Sequence, residues 1–399
     1  MSMINYRTPC YVIDADVFED NLAAFRSAFQ QYWEGEVAYG YSIKTNHDPA
    51  FLKLAGKLGM YAEAVSDDEY HAALFAGYAS KKVIFNGPQK SSQLLEQLFA
   101  TDCIINLDHD GDLLALKNYV SGGATLKAKI GVRVNFDMES CCPGEMTAGA
   151  EVSRFGFCVE NGDLAAAVEQ LQALGIPVSG LHMHYSSKSR SERVFRALAK
   201  MAVHLVEVHG LARDLCYVDM GGGFFYGNNV FAKGKPTLEL YARVITEELK
   251  RVLDPASVAL IMEPGASLIS SAVTYYTRVL NQRFIRGVNV LTADGSRLHI
   301  DPFMTGRTPL YEILYGQPPR QMLSSQILCG STCMENDRMV YLTEQREVKQ
   351  GDVLVCHCAG AYTMGFNSCF INLPPYVYLK TGDHVQMVRD KNRNLLTQI

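Results

Sequence analysis

Cys216-Tyr217-Val218-Asp219-Met220-Gly221-Gly222-Gly223 is a short apolar run that ends abruptly in three glycines. A stretch with helical spacing, Ser191–His209, precedes it, and another, Thr237–Leu253, follows it. An apolar run of this length between amphipathic segments reads as one strand of a parallel sheet buried on both faces. The same unit repeats outward along the chain. Val37–Ile43, Met60–Val65, Val83–Asn86, Cys103–Leu107, Ala128–Val134, Val178–His184 and Val258–Met262 are further runs of this kind. They alternate with helical stretches such as Asp48–Leu58, Asp67–Ala76, Ser91–Phe99 and Asp163–Ala173, several of which open on a capping residue: Asp48, Asp67, Ser91, Ser191 and Thr237. Eight strand–helix units predict an α/β fold, a closed (β/α)8 TIM-type barrel over residues 22–270, with a doubly wound open sheet as the alternative. Asp137–Gly149 reads as a loop inserted between the fifth and sixth strands.

Beyond about residue 268 the long helical stretches stop. Thr274–Arg286, Val288–Asp294, Arg338–Thr343, Asp352–Cys358 and His384–Arg389 read as strands separated by turns, and so as a mostly-β domain over residues 271–399. Thr8–Ile13 reads as a strand that a helix, Asp14–Gln31, separates from the barrel. It is expected to join the β domain, which then takes residues 1–21 as well.

Composition narrows the classes. The 399 residues carry 37 basic and 42 acidic side chains, a net charge of −5, which excludes the concentration of cations that a nucleic-acid groove requires. No apolar run reaches the roughly 20 residues of a membrane span. The opening Met-Ser-Met-Ile-Asn-Tyr-Arg lacks a basic segment followed by an apolar one, so the expectation is a cytoplasmic protein. The eleven cysteines are an odd number, and Cys141-Cys142 and Cys356-His357-Cys358 lack the second pair that a zinc site uses. Reduced thiols and no metal are therefore expected.

Functional residues of such a barrel sit at the C-terminal ends of its strands. Those ends carry Lys44, Ser66, Asn86, Asp108, Arg133 with Asn135, His184, Gly221–Gly223 and Glu263. Taken singly each has a plain reading: a solvated lysine, a tight turn, a capping carboxylate. Taken together they offer a lysine that can form an imine, a glycine loop whose N–H groups can cradle a phosphate, and a carboxylate for a ring nitrogen. Pyridoxal phosphate requires that combination.

Five motifs in order carry a resemblance. Tyr41-Ser42-Ile43-Lys44-Thr45-Asn46 resembles the cofactor-lysine motif Tyr-Ala-x-Lys-Ala-Asn of the fold-type III pyridoxal-phosphate decarboxylases, the diaminopimelate and ornithine decarboxylase family. Gly180-Leu181-His182-Met183-His184-Tyr185-Ser186-Ser187 is similar to that family's Gly-Leu-His-x-His-x-Gly-Ser, with Ser186 in place of the glycine. Tyr217–Gly223, Gly330-Ser331-Thr332-Cys333 and Gly360-Ala361-Tyr362-Thr363 match three more, so the likeness covers essentially the whole chain.

The resemblance implies a pyridoxal-phosphate-dependent amino-acid decarboxylase that works as a homodimer with shared active sites. It implies that Lys44 binds the cofactor, that His184 stacks on its ring and that Glu263 pairs with its ring nitrogen. Ser187, Gly222, Gly223 and Tyr362 would contact the phosphate, and Glu63 would stand where the family has Asp. Cys333 would deliver a proton to Cα after CO₂ leaves. Arg307 and Tyr311, in Arg307-Thr308-Pro309-Leu310-Tyr311, resemble the pair that grips a distal carboxylate, and Glu335 and Asp337 are further substrate-binding candidates.

Two positions depart from the family. Ala266 follows Glu263-Pro264-Gly265 where arginine is usual, and Met334 follows Cys333 where an acidic residue is usual. They suggest a specialised decarboxylase acting on an amino-acid conjugate in a siderophore or antibiotic pathway. The alternatives are a meso-diaminopimelate decarboxylase making L-lysine, an amino-acid racemase, or a non-catalytic regulatory relative. Glu263 argues against the racemase, which pairs arginine with the ring nitrogen.

Overall fold

In a computed structural model of the chain, residues 5–147, 149–226, 234–316, 320–367 and 369–391 are described. They fall into two compact units, Asn21–Ser267 and Met1–Asp20 with Leu268–Ile399. None of the described helices is long and apolar enough to cross a membrane.

In chain order the first strand, β1 (Cys10–Asp14), belongs to the discontinuous unit. The continuous unit holds β2 (Val37–Ser42), β3 (Tyr61–Ala64), β4 (Val83–Phe85), β5 (Ile104–Leu107), β6 (Lys129–Asn135), the two-residue β7 (Phe157–Cys158), β8 (Gly180–Tyr185), β9 (Tyr217–Gly222) and β10 (Ala259–Glu263). All pair in parallel, in the order β5-β4-β3-β2-β10-β9-β8-β6, and a β5–β6 pairing closes the ring. The expected eight-stranded barrel is present. The short β7 hangs on β6 beside the inserted loop.

The helices between them start as capping chemistry dictates. Asp48, Ser91 and Thr237 each accept a backbone N–H of the first turn with their side chains. The cap expected at Asp67 lies one residue earlier, at Ser66, whose hydroxyl accepts from Glu69 N. One helix, Asp110–Ser121, was not expected. It is capped by His109, whose ring accepts from Gly111 N, and histidine is not among the residues that normally announce a helix start.

The barrel interior changes character from bottom to top. Ala38, Ile84, Ile104, Tyr217 and Ile261 form an apolar plug, with Tyr61 and Ala259 against it. The Tyr217 ring fills space that Gly131 and Gly180 leave open. A Cβ at Gly180 would lie 2.0 Å from that ring, and one at Gly131 would lie 2.2 Å from its hydroxyl. Because side chains alternate along a strand, the next inward positions toward the mouth are two residues on. Those are Glu63, Asn86, Asn106, Asp219 and Glu263, all buried and all polar.

The second unit is a nine-stranded sheet. Its other strands are β11 (Val273–Ile285), β12 (Val288–Ala293), β13 (Leu310–Leu314), β14 (Met322–Cys329), β15 (Arg338–Arg346), β16 (Val353–His357), β17 (Tyr376–Thr381) and β18 (His384–Arg389). The path runs β15-β14-β12-β11-β1-β17-β18, with β16 pairing β11 and β13. The N-terminal strand therefore lies inside the sheet, antiparallel to β11 and parallel to β17.

Candidate active site

Lys44 emerges just past β2, in a single 3-10 turn, Ile43–Thr45. Its Nζ lies 2.8 and 2.6 Å from Oε1 and Oε2 of Glu63 on the neighbouring β3, and Ser42 donates its hydroxyl to Glu63 Oε2 at 2.6 Å. Asn86, after β4, donates the same amide nitrogen to Glu63 Oε1 at 3.2 Å and to Glu263 Oε1 at 2.7 Å. The chain of contacts continues downward. Asn106 donates to Asn86 Oδ1 at 2.8 Å and to Asp219 Oδ2 at 3.2 Å, and Tyr217 donates its hydroxyl to Asn106 Oδ1 at 2.8 Å. Two carboxylates on one amide terminus fix which atom of Asn86 is nitrogen.

Glu263 stands at the centre. His182 Nε2 and His184 Nδ1 lie 3.5 and 3.8 Å from its Oε2, at the outer limit of hydrogen-bond distance or beyond it. Burial alone would push this carboxyl up. The attraction of His182, His184 and Lys44 outweighs it and holds Glu263 well below the usual glutamate range. Deeper in the barrel, burial pushes Asp219 well above the aspartate range, and repulsion from Glu263 and Glu63 adds to it. Of these two coupled acids, the deeper takes the proton and the one facing the mouth keeps its charge. His184 is held down to about 4, by burial first and by Arg133 and Lys44 next, against the pull of Glu263. Its ring is neutral at physiological pH.

Gly221 lies between these groups because nothing larger fits. A Cβ there would come within 2.5 Å of His184 Nδ1 and 2.6 Å of Glu263 Oε2. Gly222 has φ +134°, a conformation that side chains rarely adopt. Ser187 follows β8 in the 186–191 segment, and its Oγ accepts from Arg190 N at 3.1 Å. Ser66, by contrast, serves its helix as a cap. Arg133 is buried against Asp108, at 3.5 Å, and over the Phe155 ring.

The β unit carries the remaining candidates. Cys333 is an exposed thiol on the loop that follows β14. Glu335 is exposed and borders a cavity of ≈ 440 Å³ with Arg297, Met304, Gly306, Asn336, Arg338 and Tyr341, a lining that includes neither Arg307 nor Tyr311. Asp337 differs from the expectation of a substrate-facing acid. It is 2% exposed, and its carboxylate accepts from Arg297 N at 2.7 Å, Thr332 N at 3.1 Å and the Thr332 hydroxyl at 2.6 Å. Those contacts make it the organiser of the loop that presents Cys333. Arg307 is exposed and holds Arg297 Nη2 through its carbonyl at 3.0 Å, whereas Tyr311 lies in β13 opposite Cys356. Tyr362 is 40% exposed with φ +55°.

Sequence reading at the strand ends missed Ser42, Asn106, His182 and Asp219 as members of the buried network. The available signal was the two-residue alternation that places each of them inside the barrel, below or beside a residue already recognised.

The barrel cluster suits a cofactor of the kind implied. Glu263 Oε2 is buried and has no hydrogen-bond partner among the described residues, so a ring N–H would satisfy it. A lysine amine stands beside it at the mouth, held by Glu63. Residues 16–270 match the pyridoxal-dependent decarboxylase family through its pyridoxal binding domain. The chain belongs to that family, and it is a pyridoxal-phosphate-dependent amino-acid decarboxylase. It is 28% identical to the probable chloroplastic diaminopimelate decarboxylase of Oryza sativa subsp. japonica over 396 residues, covering 96% of this chain and 77% of that protein. It is also 28% identical to the diaminopimelate decarboxylase of Archaeoglobus fulgidus over 394 residues, covering 96% and 90%. Crystal structures of diaminopimelate decarboxylase from M. jannaschii share the fold with TM-scores of 0.84 and, in a complex with L-lysine, 0.81. Both are 22% identical and cover 98% of this chain and 92% of that one.

Proposed function

We propose that the protein removes CO₂ from the α-carbon of an amino acid bearing a second, distal carboxylate, with meso-diaminopimelate as first candidate and L-lysine as its product. The observation that carries this reading is the barrel-mouth cluster in which Lys44 and the charged Glu263 are tied together through Glu63 and Asn86. Bound pyridoxal phosphate supplies the electron sink for the pair left at Cα when CO₂ departs. In this reading Lys44 attaches the cofactor and Glu63 orients the lysine amine. Glu263 holds the proton of the ring nitrogen, and the neutral His184 ring lies against the cofactor face. Ser187, Gly222, Gly223 and Tyr362 take the phosphate, and Cys333 returns a proton to Cα across a homodimer interface. Arg307 and Tyr311 keep the four-residue spacing of a distal-carboxylate grip, and Glu335 is the remaining acidic candidate for the substrate's amine.

Ala266 and Met334 are the ground for a second reading, a decarboxylase of an amino-acid conjugate in a siderophore or antibiotic pathway. The names of the relatives do not support it, and it ranks second for that reason. CO₂ release across meso-diaminopimelate, lysine, ornithine, arginine, carboxynorspermidine and citrate–amino acid conjugates decides between them. A dominant rate on meso-diaminopimelate with stoichiometric lysine is expected. A dominant rate on a conjugate would reverse the order, and no CO₂ from any of them would remove both.

A further inference from the structure

The segment that follows β8 is fixed by a carboxylate from the inserted loop. Glu145, 8% exposed, accepts from the Ser189 hydroxyl at 2.5 Å, from Ser189 N at 3.4 Å and from the Ser191 hydroxyl at 3.0 Å, while its own carbonyl accepts from Lys188 N at 2.8 Å. Ser191 occupies the N-cap of the helix Glu192–His209, yet its side chain makes no capping bond there, because its hydroxyl turns to Glu145.

The tethered segment touches both proposed edges of the phosphate site. Arg190 N donates to Ser187 Oγ, an arrangement that leaves the Ser187 O–H available as a donor. Arg190 takes φ +52°, and its carbonyl accepts from the Tyr241 hydroxyl at 2.5 Å. The Arg190 side chain lies so close to Gly223 that a Cβ on that glycine would be 2.9 Å from both Cδ and Nε. Ser187 and the glycine loop thus meet at Arg190, whose position depends on Tyr241 on one side and Glu145 on the other.

We propose that Glu145 is a positioning residue for the cofactor phosphate: by tying Lys188, Ser189 and Ser191 in place, it holds Ser187 and Arg190 in the conformation that receives the phosphate. The proposal rests on the reading of Ser187, Gly222 and Gly223 as phosphate contacts. The physical reason is preorganisation, since a loop already ordered loses less conformational freedom when its ligand arrives. A carboxylate suits the role because it can accept from several donors at once, and bonds to a charged acceptor are stronger than neutral ones.

The test compares two ligands that differ only in the phosphate. Dissociation constants of the full-length chain, stripped of cofactor, are measured by visible absorbance for pyridoxal 5′-phosphate and for pyridoxal. The Glu145→Ala variant should bind the phosphorylated form about tenfold more weakly while pyridoxal affinity stays within about twofold, and Glu145→Gln should fall between. If Glu145→Ala is not recovered folded, the Ser189→Ala/Ser191→Ala pair removes the same hydroxyl bonds and should show the same selective loss. Equal weakening of both ligands, or an unchanged affinity for the phosphorylated form, overturns the proposal. A parent protein with no preference for the phosphorylated ligand would instead overturn the phosphate reading beneath it.

Discussion

Lys44 is held by both oxygens of Glu63, a residue that is itself 1% exposed and carried by the adjacent strand. The carboxylate is pinned from the two neighbouring strands by Ser42 and Asn86. Glu63→Gln keeps the shape and removes the charge. We expect kcat for CO₂ release to fall by about one to two orders of magnitude with little change in thermal stability, as for loss of a positioned charge at a reacting group. Unchanged kcat would make the pair a feature of the resting protein alone.

Asn86 gives one amide to two buried carboxylates. Replacing it with leucine leaves Glu63 and Glu263 each short of a donor. A loss of about 2–3 kcal/mol in denaturant-derived stability is expected. A change below about 0.5 kcal/mol would mean that water or a neighbour replaces the amide.

His299, in the β unit, is held down to about 4 by burial. Its Nδ1 meets the Tyr275 hydroxyl at 2.7 Å and accepts Ser296 N at 3.2 Å. The folded value lies below the ordinary histidine value of about 6.5, so the unfolded chain binds more protons between the two. The stability from keeping His299 neutral is complete above about pH 6.5 and is lost as the pH falls toward 4, to the extent of about 3 kcal/mol. His299→Asn should flatten that part of the stability–pH curve, and an unaltered slope would assign the loss to other groups.

Asp337 and Glu335 should separate cleanly. Asp337→Ala removes the acceptor for Arg297 N and Thr332 and should cost about 2–4 kcal/mol, together with activity if Cys333 acts as proposed. Glu335→Ala should alter stability by less than about 0.5 kcal/mol, because the side chain is 99% exposed, and any effect should appear in KM. A Glu335→Ala variant as unstable as Asp337→Ala would contradict the loop's architecture.

The barrel was legible because parallel strands buried on both faces leave continuous apolar runs, and all eight stand within a few residues of their expected limits. Lys44, His184, Glu263 and the glycines were legible because they end those runs. Asp337 was not, since an acid in a loop looks the same from sequence whether it faces a ligand or its own backbone. The strand β14 was missed for a related reason. Its Gln326 is polar in sequence yet 1% exposed, paired with Asn289 at 2.9 Å and Val348 N at 2.8 Å. Such partners lie far apart in the chain, and local periodicity carries no record of them. The strands β13 and β17 lie just beyond Pro309 and Pro374-Pro375, where breaker residues read as loop.

The position of β1 between β11 and β17 bears on how the chain is made. Cys10 is the first of its strand to leave the ribosome, yet its partners Tyr276 and Tyr376 are translated only after the entire barrel. For most of synthesis β1 is an apolar segment with both edges unpaired, the kind of surface that invites wrong pairing or chaperone binding. The barrel can close while the ribosome is still at work, but the β sheet can be completed only when its earliest strand is taken up between β11 and β17, both made after the barrel.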